Sequence, residues 1–390
     1  MTPKDRFINA MELKEPDKVP IFIYGISGVL IEKILGRAAY CRNPPVYFEA
    51  CSKGKWREAN EKVAQDLIDL SNKFDLDAIR DQNQLASWFV NPKWEYIPEG
   101  VEVKKISEKE WKVDNKKVLY SPEINSIFVP EPYLPDDIDK ARDFLKAHWK
   151  DVEIPEDEII ALKKIRKACE DRFIISVVQG TFIPFYSPFD KLMLLMRLDP
   201  NLYKMWSDYY LRININRAKL KIEAGADAIL ITEDYAFKTG PFLSLAQFRE
   251  FVWPNLKNLC YEIKKEGAFC IKHTDGNINS IIGEMVEQGI DGLHSLEKDA
   301  GINIAEVKER YGNKICLLGN LDQARKFTYK NTSDEVIKEV KECIDSASPG
   351  GGHVLTTSNN FTPEVKIEHI TTWIDFSRKY GIYPLVIRES

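Results

Sequence analysis

Apolar residues along this chain change their spacing several times, and each change marks an element. Near the start, Phe7, Ile8, Met11 and Leu13 recur at helical spacing behind Thr2, suited to an N-cap, and Pro3, suited to a first turn. Pro16 and Pro20 end that helix, and VPIFIYG reads as a strand. Between residues 91 and 125 the pattern alternates, as in EVKKISEKEWKVDNKKVLY, with a turn at Asp114-Asn115. It predicts a β-hairpin outside the main body, covering one end of it. From residue 156 onward, short apolar runs alternate with amphipathic stretches. RFIISVVQG, GADAILITED, AFCIKHTDG, IDGLHSLE, KICLLGNLD and GGHVLTTSNN read as strands. Between them lie helices, including a long one over 189–224 broken near Asp199-Pro200 and another starting at Ser244.

Strands that are apolar throughout are buried on both faces, as in a parallel sheet covered by helices. No glycine-rich phosphate loop follows an early strand, and the strands number about eight, so the pattern favours a closed (β/α)8 barrel over an open doubly wound sheet. The predicted fold class is α/β, a TIM barrel with an extra β-hairpin in its N-terminal part. Residues 1–390 read as a single domain, a size such barrels commonly reach.

Composition narrows the function. A net charge of −5 and the lack of a basic stripe argue against nucleic acid as a partner. The seven cysteines form no CxxC pair, which suggests reduced thiols. No apolar run would span a bilayer, and no signal peptide is visible, so a soluble, cytoplasmic protein is expected, with no membrane partner. A homodimer is compatible with the sequence.

Barrel enzymes gather their chemistry at the C-terminal ends of the strands. Those ends carry Arg80 and Asp81, Gln179, Glu233 and Asp234, His273 and Asp275, His294 and Glu297, Asn320 and Asp322, then Ser358 and Asn359. His273 and Asp275 stand two apart, on one face if the strand continues, and such a pair binds a metal or exchanges protons. Glu233 and Asp234 are adjacent carboxylates of which one is expected to face the site. Gly276 lets the chain turn away. Asp227 and Asp291 begin strands, at the wrong end for catalysis. FIPFYSPF and EDYAFKTGPF read as aromatic loops lining a pocket, with Phe185, Tyr186 and Tyr235 as candidate substrate contacts beside Gln179 and Asn320.

Taken together, MTPKDRFINAMELKEPDKVPIF, AGADAILITED, LSLAQFREFVWPNLKNL, IKHTDGNINSIIGEMVEQGIDGLHSLE, LLGNLD and GGHVLTTSNNFTPEVK resemble the uroporphyrinogen-decarboxylase superfamily. That superfamily divides into decarboxylases and corrinoid methyltransferases. The decarboxylases carry an arginine-rich N-terminal motif for propionates, and PIFIYGISGVLIEKILG has no arginine there. Thiol-methylating members hold zinc with a His-x-Cys motif and a later cysteine. Here Asp275 and Asn359 stand at those places. The resemblance therefore points to the O-demethylase methyltransferases, which it implies use zinc on a Glu, Glu, His site. Glu233, Glu250 and His273 could fill it, with Asp275 able to replace Glu250. The expected metal ligands are Glu233, His273 and Asp275, with Asp81, Asp234 and Asn359 as catalytic groups. The methyl group of a small methoxylated, aromatic substrate would pass to Co(I) of a cobalamin carried on a separate corrinoid protein, since no DxHxxG motif is found. Two other readings stay open: a metal-independent decarboxylase or lyase using His273 and Asp81, and a non-catalytic partner-binding barrel.

Overall fold

The alternating runs fold as a parallel barrel. The computed structural model describes residues 1–81, 83, 90–91, 93–122, 126–130, 138–182 and 189–385. Its strands are β1 (Ala78–Asp81), β2 (Val103–Ser107), β3 (Glu110–Val113), β4 (Lys116–Ser121), β5 (Ser126–Phe128), β6 (Phe173–Gln179), β7 (Ala228–Thr232), β8 (Ala236–Phe237), β9 (Gly240–Pro241), β10 (Phe269–Thr274), β11 (Gly292–Ser295), β12 (Cys316–Leu321) and β13 (His353–Thr357). Seven pair in parallel in the order β1-β6-β7-β10-β11-β12-β13. The eighth position is filled by the extended segment 20–24. On one side, Leu355 donates its N–H to the Pro20 carbonyl and Phe22 donates to the Leu355 carbonyl. On the other, Asp77 donates to the Ile21 carbonyl, and its carboxylate accepts the Ile21 N–H at 2.7 Å. The segment thus joins β13 to β1 and closes the barrel.

Alternation along each strand sorts side chains between two cores. Phe22, Ala78, Ile175, Leu230, Ile271 and Leu318 point into the barrel and form one apolar cluster. Their neighbours Ile79, Ile174, Ile229, Cys270, Leu317 and Leu355 point outward and join the larger cluster beneath the helices. Helix Pro3–Met11 stoppers the bottom of the barrel. Thr2 and Asp5 form its capping box, and its Phe7 stacks on Phe173 with ring centroids 4.3 Å apart.

The long helix breaks where expected, into Phe189–Leu198 and Pro200–Glu223, with Asp199 accepting the Leu202 N–H as N-cap. The helix capped by Ser244 is two helices, Leu245–Phe251 and Trp253–Lys265. Pro254 explains the division, because it lacks the N–H that would continue the first helix and sits in the first turn of the second, where no such bond is needed. The expected hairpin is the centre of something larger: β3 and β4 pair through a turn at Asp114, and β2 and β5 flank them in a four-stranded antiparallel sheet. Its buried Trp111 packs on Phe48 of helix Pro44–Ser52. All seven cysteines are buried and unpaired by disulfides. No helix among the described residues is long and apolar enough to cross a membrane.

Candidate metal centre

Where the inward parity of the strands runs out at the top of the barrel, three chemical side chains converge. Asp234 follows β7, His273 lies in β10, and Asp275 follows it two residues on. One ligand atom from each lies within 4.8 Å of the others. The Nε2 of His273 is 3.9 Å from an oxygen of Asp234 and 3.9 Å from an oxygen of Asp275. Gly276 makes this possible. Its φ is +88°, and a Cβ there would fall 2.3 Å from the Ala236 carbonyl oxygen, so the chain must turn at a residue without a side chain.

The protonation of His273 follows from its neighbours. His294 stands beside it in register on β11, and their Nδ1 atoms are 2.7 Å apart. The Nε2 of His294 lies 3.1 Å from the Thr357 carbonyl oxygen, which can only accept. His294 therefore carries its proton on Nε2, and its Nδ1 is an acceptor. His273 must then donate from Nδ1, which leaves a lone pair on Nε2, aimed between the two aspartates. Burial pushes both imidazoles well below the usual histidine range, which keeps this neutral pair intact. The rings also stack on Tyr24, with centroid distances of 4.0 Å to His294 and 4.9 Å to His273.

Asp275 is held just as firmly. One oxygen accepts the Ser295 hydroxyl at 2.5 Å and the other the Asn359 amide at 2.6 Å, while its own N–H donates to Asp234 at 2.9 Å. Burial and the neighbouring Asp234 carboxylate raise its pKa to about 7. Two acids crowded together beside an imidazole lone pair form a donor set that suits a divalent cation, which would relieve their repulsion.

The sequence-based assignments divide by parity. His273, Asp275, Asp234 and Asn359 meet, although Asp234 supplies the ligand geometry expected of Glu233. Glu233 turns outward: its Oε1 accepts the Phe182 N–H at 2.6 Å, in space left by Gly180, where a Cβ would sit 2.1 Å from the carboxyl carbon. Glu250 lies on helix Leu245–Phe251, away from the cluster, and pairs with Lys204 at 3.0 Å. Asp81 also turns outward. Its oxygens accept from Tyr96 at 2.9 Å and from Ser176 at 3.0 Å, and burial lifts its pKa to about 6. Tyr235 is core, packed on Phe182, Phe248 and Trp253 with the Lys272 amine over its ring. Asn320 departs from that alternation: it stands two residues after the inward Leu318, yet its side chain faces the helix layer, donating to the Leu296 carbonyl and accepting the Cys343 thiol. Gln179 is buried with inward parity, and its Oε1 has no partner among the described residues. Phe185 and Tyr186 lie outside the described residues. Asp227 and Asp291 sit at the strand starts, in ion pairs with Lys4 and Lys264.

Three residues of the centre received no role from the sequence: Tyr24, Arg80 and His294. The signal was present as parity. Arg80 precedes the outward Asp81, Tyr24 is two residues beyond the inward Phe22, and His294 shares its register with His273.

Comparison with known proteins fits this architecture. A family described as uroporphyrinogen decarboxylase (URO-D) matches residues 177–380, more than half of the chain. A uroporphyrinogen decarboxylase of Pseudomonas fluorescens is 32% identical over 162 residues, 40% of this chain and 42% of that protein. One from Neisseria gonorrhoeae is 25% identical over 258 residues, 61% of this chain and 69% of its own length. The chain thus aligns with under half the length of most of these curated relatives. A methyltransferase from Methanosarcina mazei has a similar fold, with a TM-score of 0.70 at 22% identity, covering 97% of this chain and 99% of that one.

Proposed function

The chain belongs to the uroporphyrinogen decarboxylase family, and from that premise we propose that it is a zinc-dependent methyltransferase. On this reading it takes a methyl group from a small methoxylated, aromatic substrate and delivers it to Co(I) of a corrinoid on a separate protein. The observation that carries the reading is the His273 Nε2 lone pair, fixed by the relay from Thr357 through His294 and aimed between Asp234 and Asp275. Asp234, His273 and Asp275 would hold the metal. Bound there, zinc supplies Lewis acidity to the ether oxygen from which methyl departs.

The rest of the work falls to the chain. Asn359 and Ser295 each donate to Asp275, so that its oxygens keep one orientation. His294 keeps the proton of His273 on Nδ1 and off the reactive nitrogen. Gln179 offers an unpaired acceptor to a polar group of the substrate. The fold shared with the Methanosarcina mazei methyltransferase supports the choice of branch.

The decarboxylases among the relatives suggest a second reading, with chemistry on Asp81 and His273. The outward turn of Asp81 onto Tyr96 and Ser176 argues against it.

Metal analysis and a methyl-transfer assay test the proposal. Purified protein should hold about one zinc per chain, and His273→Ala should lose both the metal and methyl transfer from methoxybenzoates to Co(I) cobalamin. Full turnover by thoroughly metal-free protein would overturn it.

A further inference from the structure

Lys272 is fully buried on β10, between Ile271, which points into the barrel, and His273. Strand parity therefore sends its side chain outward, toward the helices. A buried ammonium is costly unless its protons find acceptors. Lys272 has three electron-rich partners for its three N–H groups. Its Nζ donates to the Glu233 carbonyl and to the His273 carbonyl, the latter at 2.7 Å, and lies 4.0 Å from the centroid of the Tyr235 ring. Two carbonyls and a π face offer no proton in return, so the site suits an ammonium and no neutral amine.

The place of those carbonyls matters more than their number. The ladder between β7 and β10 runs out here. Its last register pair joins Thr232 to His273, and beyond it Glu233 donates to the His273 carbonyl at a long 3.4 Å. From this point the strands part, and Asp234 and Asp275 leave them for the mouth. The Glu233 carbonyl belongs to the peptide group that carries the Asp234 nitrogen, and the His273 carbonyl begins the two-residue step to Asp275. A planar peptide cannot turn at one end without moving the other. Holding both carbonyls on one ammonium thus fixes the separation of the two strand ends where the ladder no longer does. One step further along, the Tyr235 N–H donates to the Thr274 hydroxyl at 2.9 Å, the next tie across the same gap.

We propose that Lys272 is a positioning residue for the metal centre: from the helix layer, its ammonium clamps the Glu233 and His273 carbonyls and so sets the spacing of Asp234, His273 and Asp275. This rests on the reading of those three residues as metal ligands. It adds a residue outside the barrel lumen on which their geometry depends.

Lys272→Met keeps the apolar stem and removes the clamp. Lys221 provides the control: it is equally buried, and it donates to Glu95 and to the Val177 carbonyl, neither of them in the cluster. Zinc affinity of Lys272→Met, from competition with a chelator, should fall roughly 10- to 100-fold. The visible bands of bound Co(II), which report coordination geometry, should shift with it. Lys221→Met should unfold in less denaturant yet keep the wild-type zinc affinity and cobalt spectrum, which separates positioning from general destabilisation. In metal-free protein, the Asp275 amide, held by Asp234 at 2.9 Å, should exchange its hydrogen at least about tenfold faster in Lys272→Met. Lys272→Gln is too short to reach both carbonyls and should behave alike; it decides the matter if the methionine variant does not fold. Wild-type zinc affinity or an unchanged cobalt spectrum in either Lys272 variant would overturn the proposal, as would an equal loss of affinity in Lys221→Met. The two readings fail separately. Wild-type protein that takes up no zinc would sink the metal-dependent methyltransferase, and hydrogen exchange at Asp275 would still judge the clamp, which falls if Lys272→Met exchanges as slowly as wild type.

Discussion

His294 stands outside the acid cluster, yet it decides which nitrogen of His273 is free. A histidine ligand depends on what its other nitrogen does, and partners of this kind commonly set metal affinity by 10- to 100-fold. Replacing His294 with Phe keeps a ring to stack on Tyr24 but removes the acceptor for His273 Nδ1 and the donor to Thr357. Zinc affinity of His294→Phe, measured by competition with a chromophoric chelator, should fall by roughly that factor. An unchanged affinity would mean the relay is incidental. The sequence put His273 and Asp275 on one face from their spacing alone. It could not assign His294 a task, because the pairing of two histidines across strands is a matter of register.

At the scale of the element, one rule explains the successes and every correction but Asn320. Strand residues alternate, so of any two adjacent polar residues at a strand end, one looks into the barrel and one looks at the helices. Asp234 and Arg80 look in; Glu233 and Asp81 look out. The sequence singles out both acidic neighbours at 233 and 234, but the phase of the alternation is set by which apolar residues fill the barrel. Gly180 records the consequence on β6's end. Gly180→Ala would drive a methyl group into the Glu233 carboxyl, 2.1 Å away, and should cost at least about 2 kcal/mol in chemical denaturation. Stability close to wild type would show that Glu233 has another resting place. The antiparallel sheet teaches a similar lesson. The residues of β2, β3 and β4 were legible from alternation, but as two strands about one turn, while the separation of β2 from β3 and the addition of β5 depend on edges found only in three dimensions.

For the molecule as a whole, closure is the delicate step. The segment 20–24 has few ladder bonds, and Asp77 supplements them by binding Ile21, Arg6 and Arg378 at once. These contacts tie the first helix, the closing segment and the last helix, Ile367–Tyr380, to the start of β1. Removing the carboxylate leaves the Ile21 N–H without its acceptor and takes from Arg6 one of its two acids, Asp17 remaining, so Asp77→Ala should lose about 2–3 kcal/mol. Equilibrium unfolding monitored by circular dichroism checks this, and a loss below about 1 kcal/mol would show that closure rests on packing alone.

The sequence by itself determined the parallel barrel, the order of its main elements from residue 156 onward, and the strand ends at which polar groups collect, because periodicity and punctuation are local properties of the chain; the helices over Gly28–Phe74 went unread. It also put His273 and Asp275 on one face, since a two-residue spacing needs no partner strand to interpret. Only the tertiary structure decided that Asp234 and not Glu233 completes the cluster, that Tyr235 belongs to the outer layer, and that Arg80 is buried over the Tyr24 ring. Those outcomes depend on strand phase and register across the closed sheet, which join residues far apart in the chain.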